Sequence, residues 1–178
     1  MKRHGKKRKV GVQGGFTLVE VALAVIVLLV GLMALSASAV RVQGLARAAR
    51  ERMAAQNALR AKAEEIRSIS RAGLADPLGW GLHVTGALAA LATFPVEGLT
   101  PIEGQTTVGS VRLITNETLD DAALGVELGM PRDLDGDGAA TNNAVAGSAR
   151  LLPVVLEARW TSPWGEQHLT QGLWILGY

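Results

Sequence analysis

Three aspartates at alternate positions form the clearest candidate site in the sequence. Asp133, Asp135 and Asp137 lie in the segment DLDGDG. Carboxylates with this spacing can surround one hard cation such as Ca²⁺, and glycine permits the sharp turn that the loop needs. An EF-hand loop also requires a bidentate glutamate at its twelfth position, where this chain has Ala144. The pattern leaves two interpretations open: a calcium site completed by other oxygen atoms of residues 141–143, or a solvated acidic turn.

Glu20 is a second candidate, because it is a carboxylate inside the longest apolar run of the chain. Between Phe16 and Leu35, Thr17 and Glu20 alone interrupt residues that are apolar or small. As a helix this run would be about 30 Å long, which is the thickness of a bilayer core. A carboxylate at this depth costs roughly 2.5–3.5 kcal/mol and usually has a partner. The alternative is a glutamate near the interface that reaches back to the headgroups.

A basic segment precedes the apolar run. Six of the 18 lysines and arginines lie before Gly15, and no acidic residue lies there. Flanking positive charge keeps that end of a membrane segment in the cytoplasm, so the rest of the chain would lie outside. Without this leader the chain has 12 basic and 16 acidic residues, and nucleic-acid binding is not expected.

An ordinary export signal is the alternative interpretation of the N-terminal block. Residues 37–39, Ala-Ser-Ala, match the small-residue pattern of a signal-peptidase site. This would release a soluble periplasmic or extracellular protein, with calcium binding as its candidate activity. However, the apolar run exceeds the roughly 7–15 residues typical of a signal peptide, and it contains Glu20, which a signal peptide does not need.

Residues 14–21, reading GGFTLVEV, resemble the cleavage and methylation site of type IV prepilins. Those proteins have a basic leader ending in glycine, then phenylalanine, Thr-Leu, glutamate as the fifth mature residue and a long apolar run. The resemblance implies that prepilin peptidase cleaves after Gly15 and methylates the new N-terminus at Phe16. It also implies that Glu20 acts in assembly. The resemblance covers about residues 1–70.

The function implied by this resemblance is structural. The chain would be a minor pilin or pseudopilin of a type IV pilus or type II secretion filament, and its partners would be the inner membrane and other subunits. It would reside in the bacterial inner membrane and then in a periplasmic or extracellular filament. No cofactor is required, although some type II secretion pseudopilins hold calcium in a C-terminal loop. The sequence contains no recognisable catalytic constellation, so no enzymatic activity is expected.

One long helix must position Glu20. Good helix formers without proline continue to residue 70. We expect residues 16–40 to form a membrane or filament-core half and residues 41–72 an amphipathic half. The stripe predicted to receive a sheet consists of Leu45, Ala49, Met53, Leu59, Ala63 and Ile66.

A C-terminal head must position the acidic loop. Residues 73–105 are predicted to be a connecting region with one short helix over 86–94, and residues 106–178 a β-sheet head with its acidic loop at 133–143. The predicted strands are 106–115, 154–161 and 166–176, with a turn at 162–165. One face of the second strand, Val154, Leu156, Ala158 and Trp160, should pack on the helix. The predicted fold class is α+β, with a long N-terminal helix on a small antiparallel sheet.

Overall fold

The structure is a computed structural model that describes residues 17–76 and 79–177. Its elements in chain order are α1 (Leu18–Gly73), α2 (Trp80–Ala89), β1 (Thr93–Phe94), β2 (Gly109–Leu113), α3 (Asp121–Leu124), β3 (Leu151–Ser162) and β4 (Gly165–Leu176). Contacts divide the chain into two units, Met1–Ala46 and Arg47–Tyr178. The fold class is α+β, as the sequence predicts.

The first unit, where it is described, is the N-terminal part of α1. Residues 18–43 are all exposed, although most of them are apolar. The segment contains no proline, and alanine, leucine and methionine favour the helix. Phe16, where the predicted helix begins, and the predicted leader at residues 1–15 lie outside the described residues.

The second unit is built on a four-stranded antiparallel sheet in the order β1-β2-β3-β4. β3 and β4 form the predicted hairpin, and their register runs unbroken from Leu151 opposite Leu176 to Ser162 opposite Gly165. Pro163 occupies the second turn position, which its fixed φ suits, and Gly165 has a φ of 101° that favours glycine.

The C-terminal part of α1 packs on one face of this sheet. Ala55, Leu59, Ala63 and Ile66 of α1 are at most 2% exposed and share one core with β3. The predicted inward face of β3 is confirmed, since Val154, Leu156, Ala158 and Trp160 are all buried. The Ser70 hydroxyl donates to the Leu176 carbonyl at 3.3 Å, which joins the end of α1 to the end of β4.

The predicted stripe on α1 is wrong in its first half. Leu45 and Met53 are 68% and 54% exposed, and Ala49 is also exposed, whereas Glu51 is buried. Each step of four residues overshoots a helical turn by about 40°. Ala49 and Met53 therefore lie about 80° and 120° around the helix from Leu59, whereas Glu51 lies on the other side, about 40° from the buried Ala55. Leu45 is only about 40° from the direction of Leu59, and it is exposed because it precedes the second unit, which begins at Arg47.

The connecting region contains more structure than predicted. The short helix lies at Trp80–Ala89 instead of 86–94, because Thr93 and Phe94 pair with Ser110 and Gly109 as β1. The Phe94 ring lies where a side chain at position 109 would be, only 2.3 Å from an ideal Cβ. β2 is also shorter than the predicted strand over 106–115.

The long segment between β2 and β3 covers part of the other face of the sheet. A side chain at Gly172 would meet Leu128 at 2.7 Å, so this segment lies directly on β4. Arg132 sits 5.4 Å from the centroid of the Trp174 ring, and Val155 is 3% exposed. The sequence analysis did not predict this cover, which also carries the acidic loop.

Candidate functional site

The helix start at Thr17 positions Glu20. The Glu20 backbone N–H donates to the Thr17 carbonyl at 3.0 Å, and it lies 3.3 Å from the Thr17 hydroxyl oxygen. A threonine that caps a helix in this way satisfies a donor that has no partner inside the helix. Glu20 therefore lies in the first turn, where a carboxylate interacts favourably with the helix dipole.

Glu20 also borders an apolar surface. With Val21, Ala24, Val25 and Leu28 it lines a shallow groove along the first unit. Gly15 and Phe16, which form the predicted cleavage site, lie outside the described residues. Among the residues described, α1 is the one helix whose length and composition would allow it to cross a membrane.

Asp133 closes the acidic loop through the backbone. Its Oδ1 accepts from the Gly136 N–H at 2.6 Å, and its Oδ2 accepts from the Gly138 N–H at 2.9 Å. Both glycines have positive φ, 82° and 93°, which L side chains rarely adopt. The Gly138 and Gly136 N–H groups lower the pKa of Asp133 despite an opposing effect of desolvation, so its charged form is favoured.

Asp135 and Asp137 are held by neighbouring side chains. The Ser148 hydroxyl donates to Asp135 Oδ2 at 3.1 Å, and the Asn142 amide donates to Asp137 Oδ2 at 3.0 Å. The Asn142 amide also lies 3.4 Å from Asp135 Oδ2. The predicted segment 133–143 is therefore an ordered, hydrogen-bonded loop.

Glu117 joins this loop from a distant part of the chain. Its side chain is 0% exposed, its Oε1 accepts from the Leu134 N–H at 2.7 Å, and its Oε2 accepts from the Asn142 N–H at 3.0 Å. Glu117, Asp133 and Asp135 each offer one oxygen within 4.8 Å of the others, and Asp137 is not part of that group. The sequence analysis missed Glu117, because a single glutamate far from the aspartates has no spacing that marks it.

This geometry suits a hard cation. Each carboxylate oxygen has two acceptor positions, so one backbone hydrogen bond leaves capacity for a metal. Ca²⁺ takes six to eight oxygen ligands from carboxylates, carbonyls and water. Ala144 occupies the position at which an EF-hand loop has its glutamate, and the buried carboxylate of Glu117 offers an oxygen that Ala144 cannot. The residues that could hold the ion are Glu117, Asp133 and Asp135.

Glu51 is a second buried acid that the sequence analysis missed. Its Oε1 accepts from Arg47 Nε at 2.9 Å, and its Oε2 lies 3.4 Å from Trp160 Nε1. Burial raises the pKa of Glu51, but hydrogen bonds from Ser162, Arg47 and Trp160 together lower it below its ordinary value. The sequence shows Arg47 four residues before Glu51, but nothing in it indicates that Glu51 is buried beside Trp160.

No family model, curated protein or solved structure matches this chain. The architecture is consistent with a pilin-like fold, since a long apolar N-terminal helix continues into a head with a small antiparallel sheet.

Proposed function

We propose that this chain is a structural subunit of a type IV pilin-like filament, either a minor pilin or a type II secretion pseudopilin. One observation carries the proposal: α1 presents an apolar segment that is exposed throughout and then continues into the core of a folded head. Exposed apolar surface of this extent indicates a membrane or a partner. A bilayer would cover the segment first, and the helices of neighbouring subunits would cover it after assembly.

The position of Glu20 supports a role in assembly. Cleavage after Gly15 would create an ammonium at Phe16, four residues before Glu20, which is about one helical turn. Before cleavage that nitrogen is an uncharged amide, so the pair can form only in the processed chain. Two opposite charges in an apolar setting offset part of each other's desolvation. Glu20 would pair equally well with the Phe16 ammonium of a neighbouring subunit. This pair would favour one register in which a subunit is added to the filament.

The alternative is an exported soluble protein released after Ala39. One observation favours it: the buried residues of α1 begin at Glu51, so the core of the second unit needs nothing from residues 17–39. Against it, residues 37–39 lie within the uninterrupted helix α1. The two functions predict different first residues of the mature chain, Phe16 for the filament subunit and Val40 for the exported protein.

We also propose that the loop of the second unit binds Ca²⁺ through Glu117, Asp133 and Asp135. The support is the approach of one oxygen from each residue to within 4.8 Å of the others, together with the burial of Glu117. A bound cation would lower the repulsion among these carboxylates and would tie the loop to the segment at residue 117.

Replacement of Glu20 by glutamine tests the filament proposal. Glu20→Gln keeps the size of the side chain and removes its charge, so the variant should be inserted and cleaved normally but enter filaments poorly. Inner-membrane and sheared-filament fractions are compared by immunoblot. Glu64→Gln is the matched control, because Glu64 is an exposed acid on the same helix. Equal incorporation of the Glu20→Gln and wild-type chains would refute an assembly role for Glu20.

A further inference from the structure

β4 forms one edge of the sheet, and several of its backbone groups point away from β3. In an antiparallel pair, successive residues direct their N–H and C=O groups alternately toward the neighbouring strand and away from it. Arg159 and Thr161 of β3 donate their N–H groups to the β2 side of the sheet, at 2.8 and 2.9 Å, so the residues opposite them on β4 point outward. Within the described residues, 17–76 and 79–177, no hydrogen bond reaches the outward backbone groups of four residues: His168, Thr170, Gly172 and Trp174.

The open stretch of this edge has defined ends. At one end the outward carbonyl of Leu176 accepts from the Ser70 hydroxyl at 3.3 Å. At the other end the carbonyl of Glu166 accepts from the side-chain amide of Gln167 at 3.1 Å. The four N–H and four C=O groups between them extend over residues 168–174, which is about 20 Å of strand.

The opposite edge of the sheet is protected against pairing. β1 has two residues, and the Val111 N–H donates to the Ala92 carbonyl at 2.7 Å, which leaves Thr93 as the outward residue of β1. Pro95 follows and has no N–H to offer. Short strands, prolines and charges are the features that keep a sheet edge from pairing with other chains. β4 is 12 residues long and has neither proline nor charge over residues 169–176, so its edge is suited to receive another strand.

A groove of about 260 Å³ lies between α1 and this edge. It is lined by Gln56, Leu59, Arg60, Leu169, Thr170 and Gln171. Leu59 is buried and Leu169 is half-buried, whereas Arg60 is exposed and forms no ion pair in the described part of the chain. An extended segment added to β4 would direct alternate side chains toward this groove, because side chains of a strand alternate between its two faces. A carboxylate among them would find the Arg60 guanidinium, which pairs well with carboxylates.

We propose that the open edge of β4 binds an extended, acidic segment of a partner protein by strand addition, with a carboxylate of that segment beside Arg60. Strand addition gives affinity through main-chain hydrogen bonds, and sites for alternate side chains give specificity. A second copy of the chain is a poorer match, because an antiparallel pair of β4 strands brings no carboxylate to Arg60. The residues of β4 on the side of α1 are all uncharged: Gln167, Leu169, Gln171, Leu173 and Ile175. The inference uses the second unit alone and does not rest on the filament proposal.

Peptide binding to the full chain in detergent tests the charge preference. The probe is a fluorescein-labelled heptapeptide, Thr-Val-Thr-Glu-Thr-Val-Thr, whose two valines and glutamate share one face of a strand, and the neutral probe has glutamine in place of glutamate. Fluorescence polarisation should show saturable binding of the acidic peptide and about threefold weaker binding of the neutral one, the effect of an exposed ion pair. Arg60→Gln should remove this preference. Arg50→Gln is the matched control and should keep it, because Arg50 is an exposed arginine of α1 outside the groove.

Thr170→Pro tests the strand edge itself. Proline has no N–H and is tolerated on an edge strand where the N–H faces solvent, so the variant should keep nearly the wild-type Tm. It should bind the acidic peptide about tenfold more weakly, because a main-chain hydrogen bond is lost, whereas Thr170→Ala should bind as the wild type does. Hydrogen exchange of the wild type makes the same test without a substitution. Saturating peptide should slow exchange of the outward amides of Thr170 and Gly172.

The outcomes decide between a partner segment and other occupants of the edge. Binding that prefers the acidic peptide, requires Arg60 and slows exchange at Thr170 supports the proposal. Equal affinity for the two peptides, unchanged exchange at Thr170, or no binding at millimolar peptide would overturn it. Dimerisation of the chain in analytical ultracentrifugation that Thr170→Pro abolishes would also overturn it and would assign the edge to a second copy. None of these results changes the first residue of the mature chain, so the filament proposal is tested separately.

Discussion

Glu117 and Leu134, 17 residues apart in the chain, meet in a buried hydrogen bond of 2.7 Å between the Leu134 N–H and Glu117 Oε1. The second oxygen of the same carboxylate accepts from Asn142, so one side chain fixes both ends of the acidic loop. Every buried side-chain nitrogen and oxygen in the described part of the chain has a hydrogen-bond partner. Glu117 thus has a structural role whether or not a cation is bound.

Replacing Glu117 should destabilise the head. Glu117→Gln leaves an amide group facing a backbone N–H, and an unsatisfied buried donor costs about 1–3 kcal/mol. Thermal unfolding of the detergent-solubilised full chain would report this as a lower Tm. Glu127→Gln is the control, because Glu127 is an exposed acid in the same segment. Equal Tm values for the two variants would mean that Glu117 does not hold the loop.

Calcium should raise the Tm of the full chain in detergent, because a ligand that binds only the folded state stabilises it by mass action. Asp135→Asn should lose most of this shift. Asp137→Asn should retain most of it, since Asp137 is not one of the three clustered carboxylates. The two variants distinguish two possible ligand sets. Loss of the shift in Asp135→Asn alone supports Glu117, Asp133 and Asp135, whereas loss in both variants supports the three aspartates that the sequence predicts. A wild-type chain that does not respond to millimolar calcium would leave the loop as an acidic turn.

Glu51 should make the stability of the head depend on pH in the acid range. Its pKa in the folded state is lowered, so its contribution is complete above the ordinary glutamate pKa of about 4.3 and is lost as the pH falls through the lower folded value. Glu51→Gln should therefore be less stable than the wild type at neutral pH, and the difference should shrink below about pH 4. Denaturant unfolding at several pH values measures it. A difference that stays constant down to pH 3 would contradict this assignment.

The sequence was sufficient for the elements with strong local signals. The helix α1 follows from an unbroken run of helix formers, and the β3–β4 hairpin follows from alternation around a Pro-Trp-Gly turn. Steps of four residues drift around the helix, so the predicted stripe includes the exposed Met53 and omits the buried Glu51. Glu117 and the cover over Gly172 depend on contacts between distant segments, and no local pattern encodes them.

The mass of the mature N-terminus tests the filament proposal most directly. Peptides from the chain, purified from a host with a prepilin peptidase, are analysed by mass spectrometry, and Gly15→Leu provides an unprocessed control because a bulky residue should block cleavage. The proposal predicts a wild-type chain that begins at N-methylated Phe16 and a Gly15→Leu chain that keeps its leader. A wild-type chain that begins at Val40 would contradict the proposal and would assign the protein to the exported soluble class.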